Sequence, residues 1–465
     1  MTDTRRALLD DLVGAVGGTG SDPQVDLADG GSLPSVFAVS DLAQASVGAA
    51  GAAVAKLVAV GTGTAPAVTV DRDLASAWFA FSIRPEGWEL VSPWDAVAGG
   101  YACTDGWVKL HTNAPHHRDA ALGVLGTPVE RQAVASAVAG WSAVELESAV
   151  VAAGGAAAAL RTTTEWDAHP QGRAVAAEPL VAVEATSDAR DGAGAVGAVG
   201  RPLDGVRVLD LTRVLAGPVA TRLLAGWGAE VLRVDPPGWD EPGVVPEVTL
   251  GKRCARLDLR TPDGRDRFLE LLAGADVLVH GYRSDALERL GLGADLRADV
   301  RPGLVDVSLD AYGWTGPWDR RRGFDSLVQM SSGIAAAGMA AAGADRPVPL
   351  PVQALDQAVG YLLAASALSG LTRRATDGTG SRWRTSLARM ARLLVDAGTV
   401  DATDRPGIDP APPSADGPVE RTVWGDARRL PPPLVVEGAP LRWELPAGPL
   451  GAADPVWAGG GGPPG

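Results

Sequence analysis

Two aspartates, Asp41 and Asp356, each lead into a segment rich in alanine and glycine, and they are the first candidates for chemistry. The segments Phe37-Ala-Val-Ser-Asp41 and Val352-Gln-Ala-Leu-Asp356 share an apolar start, one carboxylate and a Gly-Thr-Gly further on. A carboxylate can act as a covalent nucleophile, and the N-terminus of a helix favours its ionised form. Because an aspartate before a helix is also an ordinary N-cap, the residues by themselves leave both roles open.

Arginines stand close to the ends of short apolar segments in the second half of the chain, among them Arg213, Arg233 and Arg283. Ligands bind at the carboxyl ends of the strands of an open parallel sheet, and a guanidinium is well suited to phosphate. These arginines could surround one phosphorylated ligand, although each also fits a solvated surface position. No Gly-x-Gly-x-x-Gly motif follows the first strand, which argues against a dinucleotide-binding dehydrogenase.

The elements that must position these residues follow from the periodicity of the second half. Short apolar segments alternate with segments typical of helices, which is the pattern of a parallel sheet covered by helices. The predicted strands are 206–211, 230–234, 276–279 and 304–308, and the predicted helices are 217–229 and 262–272. In the first half, Asp105-Gly106 between two alternating segments predicts a β-hairpin.

Composition divides the chain into four parts. Residues 186–200 form a Gly/Ala-rich linker between a first region, 1–185, and a predicted sheet domain at 201–400. Residues 401–465 are rich in proline and glycine and are predicted to be mostly irregular, with disordered last residues. The predicted fold class is α/β, with a Rossmann-like parallel sheet, a smaller α/β domain and an irregular Pro/Gly-rich tail.

The charge and the cysteine content exclude several classes of protein. The 465 residues include 41 basic and 56 acidic ones, and the net charge of −15 repels nucleic-acid backbones and anionic membranes. Cys103 and Cys254 are the only cysteines, and neither they nor the five histidines show metal-ligand spacing. The N-terminus lacks an apolar signal segment, and the longest apolar stretches are too short to span a bilayer. We therefore expect a cytoplasmic protein without a metal or a membrane partner.

Residues 205–380 resemble the family III CoA-transferases, the group of formyl-CoA transferase and carnitine-CoA transferase. Seven blocks match in order. They are Gly205-Val-Arg-Val-Leu-Asp-Leu-Thr-Arg-Val-Leu-Ala-Gly-Pro, Gly228-Ala-Glu-Val-Leu-Arg-Val-Asp-Pro-Pro, Gly251-Lys-Arg-Cys-Ala-Arg-Leu-Asp-Leu, Ala275-Asp-Val-Leu-Val-His-Gly-Tyr-Arg, Tyr312-Gly-Trp-Thr-Gly-Pro, Gly323-Phe-Asp-Ser-Leu-Val-Gln and the segment around Asp356. The resemblance implies that CoA is exchanged between carboxylic acids through an enzyme-bound aspartyl-CoA thioester.

The resemblance also implies roles for single residues. Asp356 holds the position of the catalytic aspartate, and Asp41, with the same local pattern, is a second candidate. The CoA-binding positions correspond to Arg213 near the pantetheine, Arg233 near the adenine and phosphate end, Tyr282 and Arg289 in the aromatic and basic block, and Arg322 at a phosphate-facing position. No further cofactor is implied, because the CoA thioester is itself the substrate.

The order of the parts differs from the family's. Residues 91–180 resemble, more weakly, the family's small domain, yet here they precede the sheet domain. Because family members are typically interlocked dimers, we expect a homodimer that binds CoA and small carboxylic acids.

Two alternatives stay open: a non-catalytic CoA-binding or partner subunit, and an α-methylacyl-CoA racemase-like enzyme. Racemisation is disfavoured because Phe324 stands where that branch has its histidine base. The donor and acceptor acids are not evident from the sequence.

Overall fold

The computed structural model describes residues 3–18, 23–189, 200–401, 405–412 and 417–458. The first half contains eight of the helices and seven of the strands in this described part. The helices are α1 (Thr4–Ala15), α2 (Val39–Thr62), α3 (Arg72–Trp78), α4 (Pro115–Leu125), α5 (Arg131–Val138), α6 (Ala143–Ala152), α7 (Thr163–Ala168) and α8 (Pro170–Ala177). The strands are β1 (Val25–Leu27), β2 (Val68–Val70), β3 (Ile83–Pro85), β4 (Gly99–Ala102), β5 (Trp107–Leu110), β6 (Ala157–Ala159) and β7 (Ala182–Asp188).

The second half alternates strands and helices as the periodicity predicts. It consists of β8 (Arg207–Leu211), α9 (Ala216–Gly226), β9 (Glu230–Asp235), α10 (Val245–Val248), β10 (Lys252–Arg256), α11 (Pro262–Ala273), β11 (Val277–His280), α12 (Ala286–Arg289), α13 (Ala294–Val300), β12 (Val305–Asp310), α14 (Asp325–Ser331), α15 (Ile334–Ala341), α16 (Ala354–Asp377), β13 (Thr379–Ser386) and α17 (Leu387–Asp396). Three short strands follow: β14 (Val419–Thr422), β15 (Gly425–Arg429) and β16 (Leu434–Val436).

A seven-stranded sheet, in the order β10-β9-β8-β11-β12-β13-β7, is the centre of the structure. Its first six strands are parallel, and β7 joins as an antiparallel edge. The strands β8, β9, β11 and β12 are buried almost throughout because helices cover both faces. This architecture confirms the predicted α/β class.

The boundaries of the predicted parts differ from the structure in two places. Residues 186–188, expected in the linker, end strand β7, which pairs with β13; residues 190–199 lie outside the described part. The tail is less irregular than expected, because β15 pairs with β3 and β16 pairs with β2. The first half and the tail therefore share sheets that a division of the chain by composition separates.

Helices α2 and α16 are two copies of one structural unit. Each is 24 residues long, each follows a tight turn closed by a backbone hydrogen bond (Val39 to Phe37, Ala354 to Val352), and each ends at a left-handed glycine. The correspondence continues through β2 and β13 into α3 and α17, whose N-caps, Asp71 and Ser386, each accept a hydrogen bond from the third residue after them. The sequence repeat around the two aspartates thus extends over two further elements.

Helix α2 has the length and the hydropathy of a membrane-spanning helix, contrary to the expectation that every apolar stretch is too short. In the described part, α5 and α6 pass the same test only as a pair bent by 118°. Of the most apolar 18 residues of α2, 67% are buried inside the structure, where α2 packs between α1 and α16. Such burial is typical of the core helix of a globular protein.

Candidate active site

Asp356 lies in the first turn of α16, at a place where two cavities meet. It is only 8% exposed, and no side chain of a described residue donates a hydrogen bond to its carboxylate. The N-cap residue of the helix, Gln353, makes no side-chain cap. The helix therefore begins with a carboxylate that has no side-chain partner in the described part of the chain, and its first backbone N–H groups need a cap from outside the helix.

Asp325, at the start of α14, supplies the missing cap. Its Oδ2 accepts hydrogen bonds from the backbone N–H groups of Leu355 (2.8 Å) and Asp356 (3.0 Å), and its Oδ1 accepts from Gln329 (2.5 Å). Two carboxylates thus share one helix N-terminus, and Asp325 fixes the backbone that carries Asp356.

Burial and like charge govern the ionisation of this pair. Burial raises the pKa of Asp325 to about 6, although its hydrogen bonds and the charge of Lys109 act in the opposite direction. The pKa of Asp356 is raised well above its usual value, first by burial and then by the charge of Asp325. A carboxylate in a cavity whose pKa is raised by burial and by a neighbouring charge is typical of a functional site.

One of the two cavities, here called the basic cleft, has a volume of about 390 Å³ and adjoins the carboxyl ends of β8, β11 and β12. Arg213, Arg283 and Arg322 line it, and none of the three makes an ion pair with a residue in the described part of the chain. Burial, followed by the like charges of Arg283 and Arg289, lowers the pKa of Arg322. Three cations without counter-ions at strand ends can hold a phosphorylated ligand.

The aromatic residues of the basic cleft hold Arg213 in place. Its guanidinium carbon lies 4.7 Å from the ring centre of Trp239 and 5.0 Å from that of Tyr282, both within the range of a cation–π contact. Asp310 lies in the same cleft, and burial raises its pKa to about 8. Because Asp310 is mostly neutral at pH 7, it does not cancel the positive charge of the cleft.

The second cavity, here called the apolar cavity, has a volume of about 690 Å³. Both halves of the chain form its walls. They include Phe79, Phe81, Ile83, Leu90 and Trp94 from the first half, and Val214, Leu215, Val244, Phe324, Pro351 and Val352 from the second. Asp356 lies at the boundary of this cavity and the basic cleft.

Val214 lines both the apolar cavity and the basic cleft, and its backbone is strained. Its φ of 65° places a β-branched residue in the left-handed region, which such residues rarely adopt and which is common at functional sites. Its N–H donates to Glu241 (3.0 Å), and Glu241 in turn accepts from Arg233 (2.5 Å) and Trp239 (3.1 Å). A buried network therefore holds the loop that separates the two cavities.

The structure brings together Asp356, Arg213, Tyr282 and Arg322, but it places three other predicted site residues elsewhere. Arg233 is fully buried and does not line the basic cleft; it binds Asp235 and Glu241 instead. Arg289 is exposed and pairs with Asp285.

Asp41 lies away from both cavities. It makes an ion pair of 2.6 Å with Arg72, whose side chain is almost completely buried. In the second copy of the repeat, the residue 31 positions after the aspartate is Leu387, which lines the basic cleft. Asp356 therefore lacks the cation that neutralises Asp41.

Two histidines from the first half were not predicted to belong to this site. The ring of His111 stacks on Phe324 with 3.6 Å between centres, and His117 meets the edge of the same ring. Burial is the main reason that the pKa of each lies at about 3, so both are neutral at pH 7. Their contact with Phe324 depends on the packing of the two halves, which local sequence does not show.

No group of three or more His, Cys, Asp or Glu residues in the described part could hold a metal ion.

Comparison with known proteins identifies relatives for the second half. Residues 203–418 match the family model described as CoA-transferase family III. The "Probable fatty acyl-CoA transferase" of Mycobacterium tuberculosis is 33% identical over 231 residues, which are 46% of this chain and 58% of that protein. Succinyl-CoA:glutarate CoA-transferase of Homo sapiens is 34% identical over 195 residues, 39% of this chain and 44% of that protein. The chain spans about half the length of these curated relatives.

Among solved structures, an orthorhombic crystal form of Rv3272 from Mycobacterium tuberculosis is 29% identical to this chain. The match covers 49% of this chain and 62% of that one, with a TM-score of 0.39.

Proposed function

We propose that the protein transfers CoA between carboxylic acids with Asp356 as the nucleophile, because residues 203–418 match the model of CoA-transferase family III. One observation carries this proposal: among the acidic residues that line the basic cleft or the apolar cavity in the described part of the chain, Asp356 alone lines both. The cleft is suited to the phosphates of CoA, the cavity to an acyl group, and the carboxylate lies where the thioester would join them.

The reaction divides one difficult transfer into easier steps. The carboxylate of Asp356 attacks the thioester carbonyl of the donor, which gives a mixed anhydride and the CoA thiolate. The thiolate then attacks the aspartyl carbonyl, so that the donor acid leaves and an aspartyl-CoA thioester remains. The acceptor carboxylate attacks this thioester, CoA thiolate leaves again, and its attack on the new acyl carbonyl releases the product and restores Asp356.

The surrounding residues bind and orient the reactants. Arg213, Arg283 and Arg322 attract the phosphates of CoA, and their charges favour the anionic ligand most at low salt. The backbone N–H groups at the start of α16 lie beside the reacting carboxylate, where a helix N-terminus stabilises negative charge. The near-complete burial of Asp356 protects the anhydride and the thioester from water.

The test is the covalent intermediate. On incubation with an acyl-CoA, we expect the peptide that contains Asp356 to gain the mass of CoA less one water, detected by mass spectrometry. Asp356→Asn removes the attacking oxygen and should abolish both the adduct and the transfer, a loss of several orders of magnitude, while CoA still raises the melting temperature.

Asp41→Asn is the matched control, because Asp41 holds the same position in the other copy of the repeat. It should keep the adduct and most of the activity. If Asp41→Asn loses the adduct and Asp356→Asn keeps it, Asp41 is the nucleophile. If CoA binds but no acyl-CoA of a broad panel gives an adduct or transfer, the non-catalytic CoA-binding alternative replaces the proposal.

A second candidate function, proton exchange at the carbon next to the thioester, is favoured by the position of His111. The neutral imidazole of His111 lines the apolar cavity, as Asp356 does, and it stacks on Phe324. Phe324 occupies the position at which the racemase branch has its histidine base. Incubation with a 2-methylacyl-CoA in D₂O distinguishes the two functions. If deuterium is incorporated by the protein and the His111→Ala variant no longer incorporates it, the proton exchange is assigned to this site. The CoA-transferase proposal predicts CoA transfer without incorporation of deuterium.

A further inference from the structure

We propose that the apolar cavity binds the acyl group of a bulky, apolar monocarboxylic acid, rather than a short acid or a dicarboxylic acid. This inference rests on the proposed function, because it takes Asp356 as the point where the thioester lies. It concerns the identity of the acid, on which the family resemblance is silent.

The first argument is the size and chemistry of the walls. A cavity of about 690 Å³ far exceeds the volume of a two-carbon or four-carbon acyl group. The walls of the cavity are mainly aliphatic and aromatic, and they include Phe81, Ile83, Leu90, Val244 and Val352. A short acyl group would leave this surface in contact with water, whereas a longer apolar chain removes it from water.

The second argument is the charge around the cavity. Asp95, Asp240 and Glu241 line it in addition to the two carboxylates at the start of α16. Asp95 already accepts hydrogen bonds from Thr112 (2.8 Å) and Arg118 (3.0 Å). A second carboxylate on the substrate would therefore meet five acidic side chains on the walls of this cavity, and like charges repel.

Arg84 is the one cation on these walls in the described part of the chain. Its Nε donates to the carbonyl of Pro412 (2.7 Å), and its Nη1 donates to the carbonyls of Phe81 and Ile83. Only Nη2 has no partner in the described part. Because backbone carbonyls already accept hydrogen bonds from two of the three nitrogens, Arg84 cannot form the bidentate pair that a substrate carboxylate prefers. Binding of a dicarboxylate by Nη2 is the competing outcome of the test.

The experiment compares the affinities of the full-length protein for CoA, acetyl-CoA, succinyl-CoA and octanoyl-CoA by calorimetry. We expect octanoyl-CoA to bind at least about tenfold more tightly than acetyl-CoA, because six additional methylene groups leave water. The same preference is expected over succinyl-CoA, whose second carboxylate would lie near the acidic walls. Leu90→Trp fills part of the cavity and should weaken octanoyl-CoA binding about tenfold while leaving CoA binding unchanged. Val91→Trp is the matched control, since Val91 is 57% exposed and does not line the cavity; it should preserve the preference.

Each result decides the inference. The apolar assignment is overturned if all acyl-CoA esters bind with equal affinity. It is also overturned if succinyl-CoA is preferred and Arg84→Met removes that preference. In both cases the proposed function still stands, provided that CoA binds. An unchanged preference in Leu90→Trp overturns the location of the acyl group. If CoA itself does not bind, the proposed function fails and this inference fails with it.

Discussion

Asp41 and Asp356 show how one local pattern gives two different carboxylates. Both lie in the first turn of a 24-residue helix after the same tight turn. Asp41 meets the guanidinium of Arg72, whereas Asp356 meets the carboxylate of Asp325 through the shared helix N-terminus. Arg72 offsets the charge of Asp41, whereas Asp356 lies near a second carboxylate and lines both cavities. The neighbours, rather than the helix position, separate the two roles.

The Asp325–Asp356 pair leads to a prediction about pH. The nucleophile must be ionised, so activity should rise with pH as Asp356 loses its proton, and the charge of Asp325 delays this loss by raising the pKa of Asp356. Asp325→Asn removes that charge, and we expect the rising limb of the pH profile of kcat/KM to move to lower pH. The measurement is kcat/KM with one acyl-CoA pair between pH 4 and pH 9.

The control for this shift is Asp345→Asn, which removes an exposed carboxylate from the segment between α15 and α16 and should leave the profile unchanged. A shift of the Asp325→Asn profile to higher pH, or no shift at all in a variant that still binds CoA, contradicts the electrostatic coupling of the pair.

At the scale of elements, the close packing of α16 on α9 positions the site. A Cβ added at Gly360 would lie 2.6 Å from the carbonyl oxygen of Ala216 and 2.8 Å from the side chain of Val219. Ala216 begins α9 directly after Val214 and Leu215, which line the apolar cavity. The missing side chain of one glycine therefore lets the helix that carries Asp356 approach the loop that divides the two cavities.

We expect Gly360→Ala to destabilise the protein by about 1–3 kcal/mol, because an extra carbon in a closely packed contact forces the backbone to move. The same change at Gly123, in α4, meets nothing within 4 Å and should stabilise by up to about 1 kcal/mol through helix propensity. Urea unfolding of both variants measures the difference. Equal effects at the two glycines would contradict the role of the α16–α9 contact.

At the scale of the whole molecule, the two halves and the tail form one interleaved structure. Strand β7 completes the central sheet, α2 packs on α16, and β16 pairs with β2. Glu247 links all three parts, since it accepts hydrogen bonds from the backbone of Ser82 (3.0 Å) and pairs with Arg222 and Arg429. The homodimer expected from the family stays a prediction, which light scattering can test against the chain mass of 47.4 kDa.

The interleaving predicts how separated parts behave. When residues 1–189 and 200–465 are co-expressed as two chains, we expect them to form a 1:1 complex that binds CoA, because each exposes apolar surface and strand edges that the other covers. Each chain expressed alone should aggregate. Native mass spectrometry and size-exclusion chromatography provide the measurement. Two separately folded, monodisperse chains that do not associate would contradict a single interleaved fold.

Local order along the chain was sufficient to predict four strands and two helices of the second half. Alternation of apolar strands with helices predicts β8, β9, β11 and β12 within one or two residues of their observed bounds, because burial on both faces requires continuous apolar segments. The pattern Asp-Gly between alternating segments predicts the β4–β5 hairpin for an equally local reason. The repeat around Asp41 and Asp356 is likewise visible in the sequence, since similar segments adopt similar turns and helices.

The sequence by itself determined the fold class, the placing of Asp356 at a helix start and the arginines near strand ends. Only the tertiary structure decided that Arg233 is sealed in an ion-pair network, that Asp41 is neutralised by Arg72, and that His111 lies on Phe324. These outcomes depend on which distant side chains meet in three dimensions. Charge, burial and cavity shape arise from such long-range contacts, whereas strands, helices and turns arise from neighbours in the chain.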